Sequence, residues 1–296
     1  MTETLWVTEP VRFESQGEMC AGRLYLPTRP GPHPLVLMAH GFAGTLEARL
    51  PAYAERFSQA GIAALIFDYR HFGASAGLPR QWLDIDKQLQ DWSAALDFVA
   101  TQPALDRQRL ALWGTSFSGG HVLTLAAQRA DIKAVIAQVP FVDGRAQLGR
   151  PLQAARLAWA GLLDSGRALL GRSPRMIAVV GQPGALAALT SADAEPGYRR
   201  LAQGVDWRNE VAARIVLHLP RYRPIRRVSA IQAPVLYLVA ENDRVTQAKA
   251  AYAAAKKTPR AQVMTVPGGH FDPYVAPLFE SVIQAQVNFL RTQLLS

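Results

Sequence analysis

Short apolar, β-rich runs alternate with helical patterns along most of this chain, and that alternation is what most restricts its fold. The runs fall at 11–14, 21–26, 35–39, 63–68, 109–113, 134–139, 235–240 and 262–266. Between the later ones, 52–60, 84–101, 119–129, 246–257 and 278–295 place apolar residues three and four apart, the spacing of one helix face. Two antiparallel-looking strands followed by β-α-β-α units predict an α/β fold on a mostly parallel sheet covered on both faces. With 49% apolar residues among 296, the chain can bury such a core, and disorder is excluded for most of its length.

The alternation fails between Phe141 and Ile231. Helical candidates there are 152–163, 184–189 and 209–219, with one strand candidate at 176–180. The expected organisation is a core in two parts, 1–144 and 229–296, interrupted by a helical cap at 145–228. An insertion after a sheet strand hangs over the carboxyl ends of the strands, where open α/β sheets bind ligands. The same segment carries the charge: it holds 14 Arg, no Lys and 5 acids, while the rest of this +9 chain is neutral. The plain reading is a solvated, arginine-biased surface. The sharper one is a positive rim for an anionic substrate. No zinc finger, RNP motif or basic repeat accompanies the arginines, so nucleic acid is not the expected partner.

After the run at 109–113 the chain reads Gly114-Thr115-Ser116-Phe117-Ser118-Gly119-Gly120 and then turns helical. A serine in a tight strand-to-helix turn projects its hydroxyl clear of the sheet, with a helix N-terminus beneath the anion that forms. G-x-S-x-G fits imperfectly in two registers. Ser116 is favoured, because it follows the strand directly with Gly114 two residues before it; Ser118 is the alternative. A phosphate loop or a plain helix N-cap is the competing reading, but neither GxGxxG nor GxxxxGK[ST] is present.

A serine nucleophile needs a base oriented by an acid. His270 lies in the loop after the last strand candidate, and Asp243 lies just past the end of the preceding one. The order Ser116, Asp243, His270, each beyond a strand end, makes the expected catalytic set. Asp143 is the runner-up acid, Asp272 reads as fixing its loop, and Glu241 as facing away. His33 and His218 read as surface residues, His121 as a packed core histidine, and His40 as a brace. The backbone N–H groups of Phe117 and Phe42 are the expected oxyanion donors. The plainer reading of the His40-Gly41-Phe42-Ala43-Gly44 stretch is an ordinary β-α turn. Helical spacing nominates Leu157, Trp159, Leu162 and Leu163, with Trp207, as an acyl pocket; helix packing explains the same spacing equally well.

At these residues the chain resembles the α/β-hydrolase superfamily. The HGF loop, the stretch from Phe67 to Ser75, GTSFSGG, AENDRV and GGHFDPY are similar to a bacterial branch related to dienelactone hydrolases and X-prolyl-peptidase-like hydrolases. The resemblance implies an α/β-hydrolase fold and serine hydrolysis through an acyl-enzyme, with no metal or organic cofactor. Two departures stand out: Ser118 replaces the second glycine, and His71 stands where a glycine often follows. Dienelactone hydrolases use cysteine at the nucleophile, and haloalkane dehalogenases and epoxide hydrolases use aspartate, so those activities are not carried over to Ser116.

The leading expectation is a serine esterase acting on a small-molecule ester or acyl substrate. A thioesterase or acyltransferase for carrier-bound acyl groups comes next, then an amidase or peptidase, then a non-catalytic ligand receptor. The lone Cys20, the absence of a signal-like start and the absence of a membrane-spanning stretch suggest a cytoplasmic protein. A homo-oligomer is left open.

Overall fold

The computed structural model describes residues 5–147 and 151–295; the first four residues and Arg150, which entered the reading above, lie outside them. Trp6–Ser15 (β1) and Glu18–Pro27 (β2) form an antiparallel hairpin. Gln16 and Gly17 at its tip both take positive φ, 51° and 82°, the two-residue turn whose twist matches its strands. Then come His33–Ala39 (β3), Leu50–Gln59 (α1), Ala63–Phe67 (β4), Ile85–Ala100 (α2), Leu105–Thr115 (β5), Phe117–Ala126 (α3) and Ala134–Gln138 (β6). After the intervening segment the pattern resumes with Val235–Ala240 (β10), Ala248–Lys257 (α6), Ala261–Val266 (β11) and Leu278–Leu294 (α7). The main sheet has the order β1-β2-β4-β3-β5-β6-β10-β11 and is parallel from β4 to β11. Every residue of β3, β4, β6 and β10 is buried, as solid apolar runs between two helical layers require.

The intervening segment departs from a helical cap. It holds Pro151–Leu169 (α4), Met176–Val180 (β7), Ala187–Leu189 (β8), Ala194–Leu201 (α5) and Val211–Ala212 (β9), followed by short 3₁₀ turns. A small sheet of order β8-β7-β9 lies within it. The helix expected at 184–189 is a strand, because Ala187 and Leu189 pair with Ala178 and Val180 of β7. The one expected at 209–219 is a two-residue strand and a 3₁₀ turn, tied by pairing of Val211 and Ala212 to β7. Long-range pairing overrides a helical pattern of only six to eleven residues.

Buried polar side chains link the layers. Trp113 on β5 donates to Gln286 on α7 (2.9 Å), Gln286 to Gln138 on β6 (2.7 Å), and Gln138 to Tyr53 on α1 (3.0 Å). Tyr53 in turn donates to the carbonyl of Pro273, three residues past His270 (3.1 Å). His33, expected at the surface, is 5% exposed, because β3 begins at that residue rather than at Leu35.

His121 is fully buried, its ring nitrogens engaged by the Tyr222 hydroxyl (2.7 Å) and the Gln88 carboxamide (2.9 Å). Burial, with a smaller contribution from His40, pushes its pKa down to about 3 from 6.5. The unfolded chain therefore takes up a proton that the folded one refuses between those values. The stability His121 contributes is whole above pH 6.5 and drains as pH falls toward 3. In His121→Gln, the slope of unfolding free energy against pH in this window is expected to become shallower by up to about one proton, measured by urea titration.

Candidate active site

Ser116 sits between β5 and α3 with φ 55° and ψ −118°. Its backbone is pinned on both sides: its N–H donates to Gln138 (2.9 Å), and its carbonyl accepts from Gly119 (3.0 Å) and Phe141 (2.8 Å). The turn closes so tightly that a Cβ on Gly114 would lie 2.3 Å from the Ser118 carbonyl oxygen, one on Gly119 2.7 Å from Pro140, and one on Gly120 2.4 Å from the Phe141 oxygen. The Ser116 hydroxyl makes no capping bond; it meets His270 Nε2 at 3.0 Å. Ser118 is wholly buried and faces the other way, 3.0 Å from the Tyr69 hydroxyl, while Ser116 is the serine that meets His270.

His270 and Asp243 meet through Nδ1 and Oδ2 at 2.8 Å, and both are buried. Asp243 also accepts from the N–H groups of Val245 (2.8 Å) and Thr246 (2.9 Å) and from the Thr246 hydroxyl (2.8 Å). Burial by itself would raise this carboxyl, but the His270 ring and the bonds from His270 and Thr246 outweigh it and hold Asp243 below the ordinary carboxylate range. Asp143 is otherwise occupied, in a two-pronged pair with Arg223 (2.7 and 2.8 Å). Asp272 fixes its loop by accepting from Gly269 N–H (2.7 Å) and Arg200 (3.1 Å). Glu241 and His218 are exposed.

Phe42 and Phe117 flank the serine, their rings edge-on at 5.4 Å. Gly41 passes so near that a Cβ there would lie 2.9 Å from Ser116 Cβ. His40 is buried against Tyr69, edge-on at 4.8 Å, in a bracing position. His71 has φ 72°, the left-handed backbone for which glycine is favoured at such a position.

A cavity of about 550 Å³ opens on Ser116, Phe42 and Phe117. Its walls include Phe141, Leu157, Leu189, Val216, Leu219 and Val245, with Gln147, Ser191 and Arg244 among its polar groups. A larger recess of about 890 Å³ lies between β1 and α2, away from the serine. Leu157 lines the cavity as expected, beside Ala154 and Ala158 of the same face. Trp159, Leu162 and Leu163 do not: they point outward from α4, 64%, 56% and 37% exposed. Spacing identifies residues that share a helix face but not which face turns inward. Trp207 is also outside the lining; it stacks on Tyr198 at 4.4 Å and donates to the Ala43 carbonyl at 2.9 Å. Tyr198 donates to the Phe42 carbonyl at 2.8 Å. Sequence reading missed Tyr198, whose helix α5 carries no helix-length apolar repeat. The arginine-rich segment supplies no cation to the cavity among the described residues; Arg244 lies outside it.

The profile of the family described as Serine aminopeptidase, S33 matches residues 30–270. The chain belongs to that family of α/β hydrolases. It is 42% identical over 284 residues, 95% of this chain and 93% of the relative, to the Quorum-quenching protein AidA of Acinetobacter baumannii. It is 27% identical over 284 residues, 91% of this chain and 88% of the relative, to the Thiohydrolase aneE of Aspergillus aculeatus. The α/β hydrolase GrgF from Penicillium sp. sh18 has the same fold, with a TM-score of 0.86 at 23% identity over 98% of this chain and all of that one.

The elbow of this hydrolase tolerates no side chain at Gly114, because the atom in the way is backbone that cannot rotate aside. Gly114→Ala is expected to cost about 2 kcal/mol or more, read from the urea unfolding midpoint.

Proposed function

We propose that the protein is a carboxylic ester hydrolase working through Ser116, His270 and Asp243. The observation that carries this reading is the unbroken chain from Asp243 to His270 (2.8 Å) to Ser116 (3.0 Å), opening into a mostly apolar cavity. Ser116 Oγ attacks the ester carbonyl while His270 Nε2 takes its proton. Asp243 keeps the ring oriented and offsets the imidazolium charge. The N–H groups of Phe42 and Phe117 receive the oxyanion. His270 then returns the proton to the departing alcohol, and water, activated by the same ring, releases the acyl group from Ser116. The segment 145–228 acts as a cap, lining the acyl side of the cavity with Ala154, Leu157, Leu189 and Val216.

Thioester hydrolysis or acyl transfer is the second reading. It is supported by relatives described as a Thiohydrolase and as a Polyketide transferase, the latter grgF of Penicillium sp., 26% identical over 98% of this chain. The same nucleophile and oxyanion donors serve a thioester, whose thiolate leaves without needing a proton. The two readings share an acyl substrate and differ in the group that leaves.

Intact mass after fluorophosphonate treatment is expected to show a single adduct on wild type and on Ser118→Ala and none on Ser116→Ala. Activity toward p-nitrophenyl esters should fall by about 10⁴-fold or more in Ser116→Ala. A folded wild type that takes no label would overturn the reading. Acyl-CoA turnover exceeding ester turnover at matched chain length would move the thioester reading first.

Tyr198 and Trp207 are positioning residues in this scheme: they hold the carbonyls of Phe42 and Ala43 and so set the turn that presents the Phe42 N–H. Tyr198→Phe combined with Trp207→Phe should lower kcat about tenfold with KM little changed, below the hundredfold or so lost with an oxyanion donor itself. A change in KM alone would count against the assignment.

A further inference from the structure

Twelve large hydrophobic side chains stand exposed among the described residues, and six of them belong to α4 or the residue after it: Leu152, Trp159, Leu162, Leu163, Leu169 and Leu170. A concentration of this kind on one element is unusual for a surface that meets only water. At 3.6 residues per turn, Leu152, Trp159 and Leu163 fall in an arc about 40° wide. Leu162 and Leu169 extend it on one side; Arg156 and Arg167 border it on the other. The opposite face of α4 is also apolar, and it is occupied, since Ala154, Leu157 and Ala158 line the cavity at Ser116. The helix therefore has one apolar face in use and a second without a partner.

The exposed charges that α4 and the turn after it contribute are all of one sign. Arg156 donates to the Gly184 carbonyl (3.1 Å) and Arg167 to the Ser173 carbonyl (2.8 Å), so both keep their charge uncompensated by a carboxylate in these bonds. Arg172 follows, exposed. The only acid of α4, Asp164, is buried and held by Arg214 at 2.7 Å. Two copies docked through this face would bring these arginines together with no acid of α4 to answer them. A surface of anionic headgroups over acyl chains answers both features at once.

We propose that the outer face of α4 docks on an anionic lipid surface, with Trp159 and Leu163 at the centre of the contact and Arg156, Arg167 and Arg172 against the headgroups. Docking lays a wall of the cavity along the bilayer, where long-chain acyl compounds concentrate. The contact is interfacial; no helix among the described residues is long and apolar enough to cross a membrane.

The test is sedimentation of the full-length protein with phosphatidylcholine vesicles, with and without phosphatidylglycerol. It reads binding alone, so its outcome does not depend on the chemistry at Ser116. The wild type is expected to pellet with the anionic vesicles, and Trp159→Ser with Leu163→Ser to cut the bound fraction about fivefold or more. Arg156→Glu with Arg172→Glu, or half-molar salt, should do the same by screening or reversing the attraction. Both substituted side chains of the first variant are substantially exposed, and an unchanged melting temperature shows that it folds. Three results overturn the proposal: no pelleting of the wild type, equal pelleting of wild type and the Trp159 and Leu163 variant, or equal binding to vesicles without phosphatidylglycerol. A wild-type dimer in light scattering that the same variant dissolves, with no vesicle binding, gives the face to a second copy instead.

Discussion

The left-handed backbone at Ser116 costs about 1–3 kcal/mol for a residue with a Cβ, and it persists only because its surroundings leave no relaxed alternative. Its N–H and carbonyl are committed to Gln138, Gly119 and Phe141, while Gly114, Gly119 and Gly120 let three backbone segments meet closer than any side chain permits. The strain thus sits on a few residues whose partners are the sheet itself. A hydroxyl carried by such a turn has no capping bond to make and stands free for His270. The remaining parts of the site are positioned relative to this fixed point.

Buried acids do much of that positioning. Asp68, at the end of β4, accepts from Leu46 N–H (2.7 Å) and Ala74 N–H (3.0 Å), joining the loops after β3 and β4, with the His40 ring 3.6 Å away. Burial raises its pKa against the opposing pull of His40 and those two amides, a sign of how much desolvation the loop junction carries. From the other side, α5 touches the loops that carry Phe42 and His270. Tyr198 bonds the Phe42 carbonyl, and Gly197 lies so near Phe271 that a Cβ would come within 2.2 Å of its ring. One short helix therefore couples the loop carrying Phe42 to the loop carrying His270, and displacement of the segment 145–228 would disturb both.

The central sheet and the meeting of Ser116, Asp243 and His270 side chains are legible because they depend on local signals: solid apolar runs, glycines around a serine, and an acid and a histidine just past strand ends. The position of Gly114 in the sequence favours Ser116 over Ser118, and in the structure Ser118 is the one engaged with the Tyr69 hydroxyl. The intervening segment was not legible in the same way. Its strands β8 and β9 are three and two residues long and exist only because β7 lies between them, a pairing that no local pattern encodes. Trp159 and Leu163 have the right period for a lining face, yet α4 is apolar on two sides, and periodicity is silent when both faces qualify.

Two groups among the arginines of that segment stand in unlike settings. Arg214 and Arg223 are spent on Asp164 and Asp143, where carboxylates with 0% and 14% of their side chains exposed need a cation. Burial alone would raise the Asp164 carboxyl, and the bonds from Arg214 and Arg175 more than reverse it. The arginines that border the outer face of α4 are not so spent. A charge in physiological salt loses most of its reach over about 8 Å, and a helix with its side chains is about 10 Å across. Cations on the outer side of α4 are thus about a helix diameter from a cavity lined by its inner side, and line none of it among the described residues. The arginines beside the outer face of α4 thus stand apart from the cavity, whose described lining is mostly apolar and takes its one cation from Arg244, outside the segment.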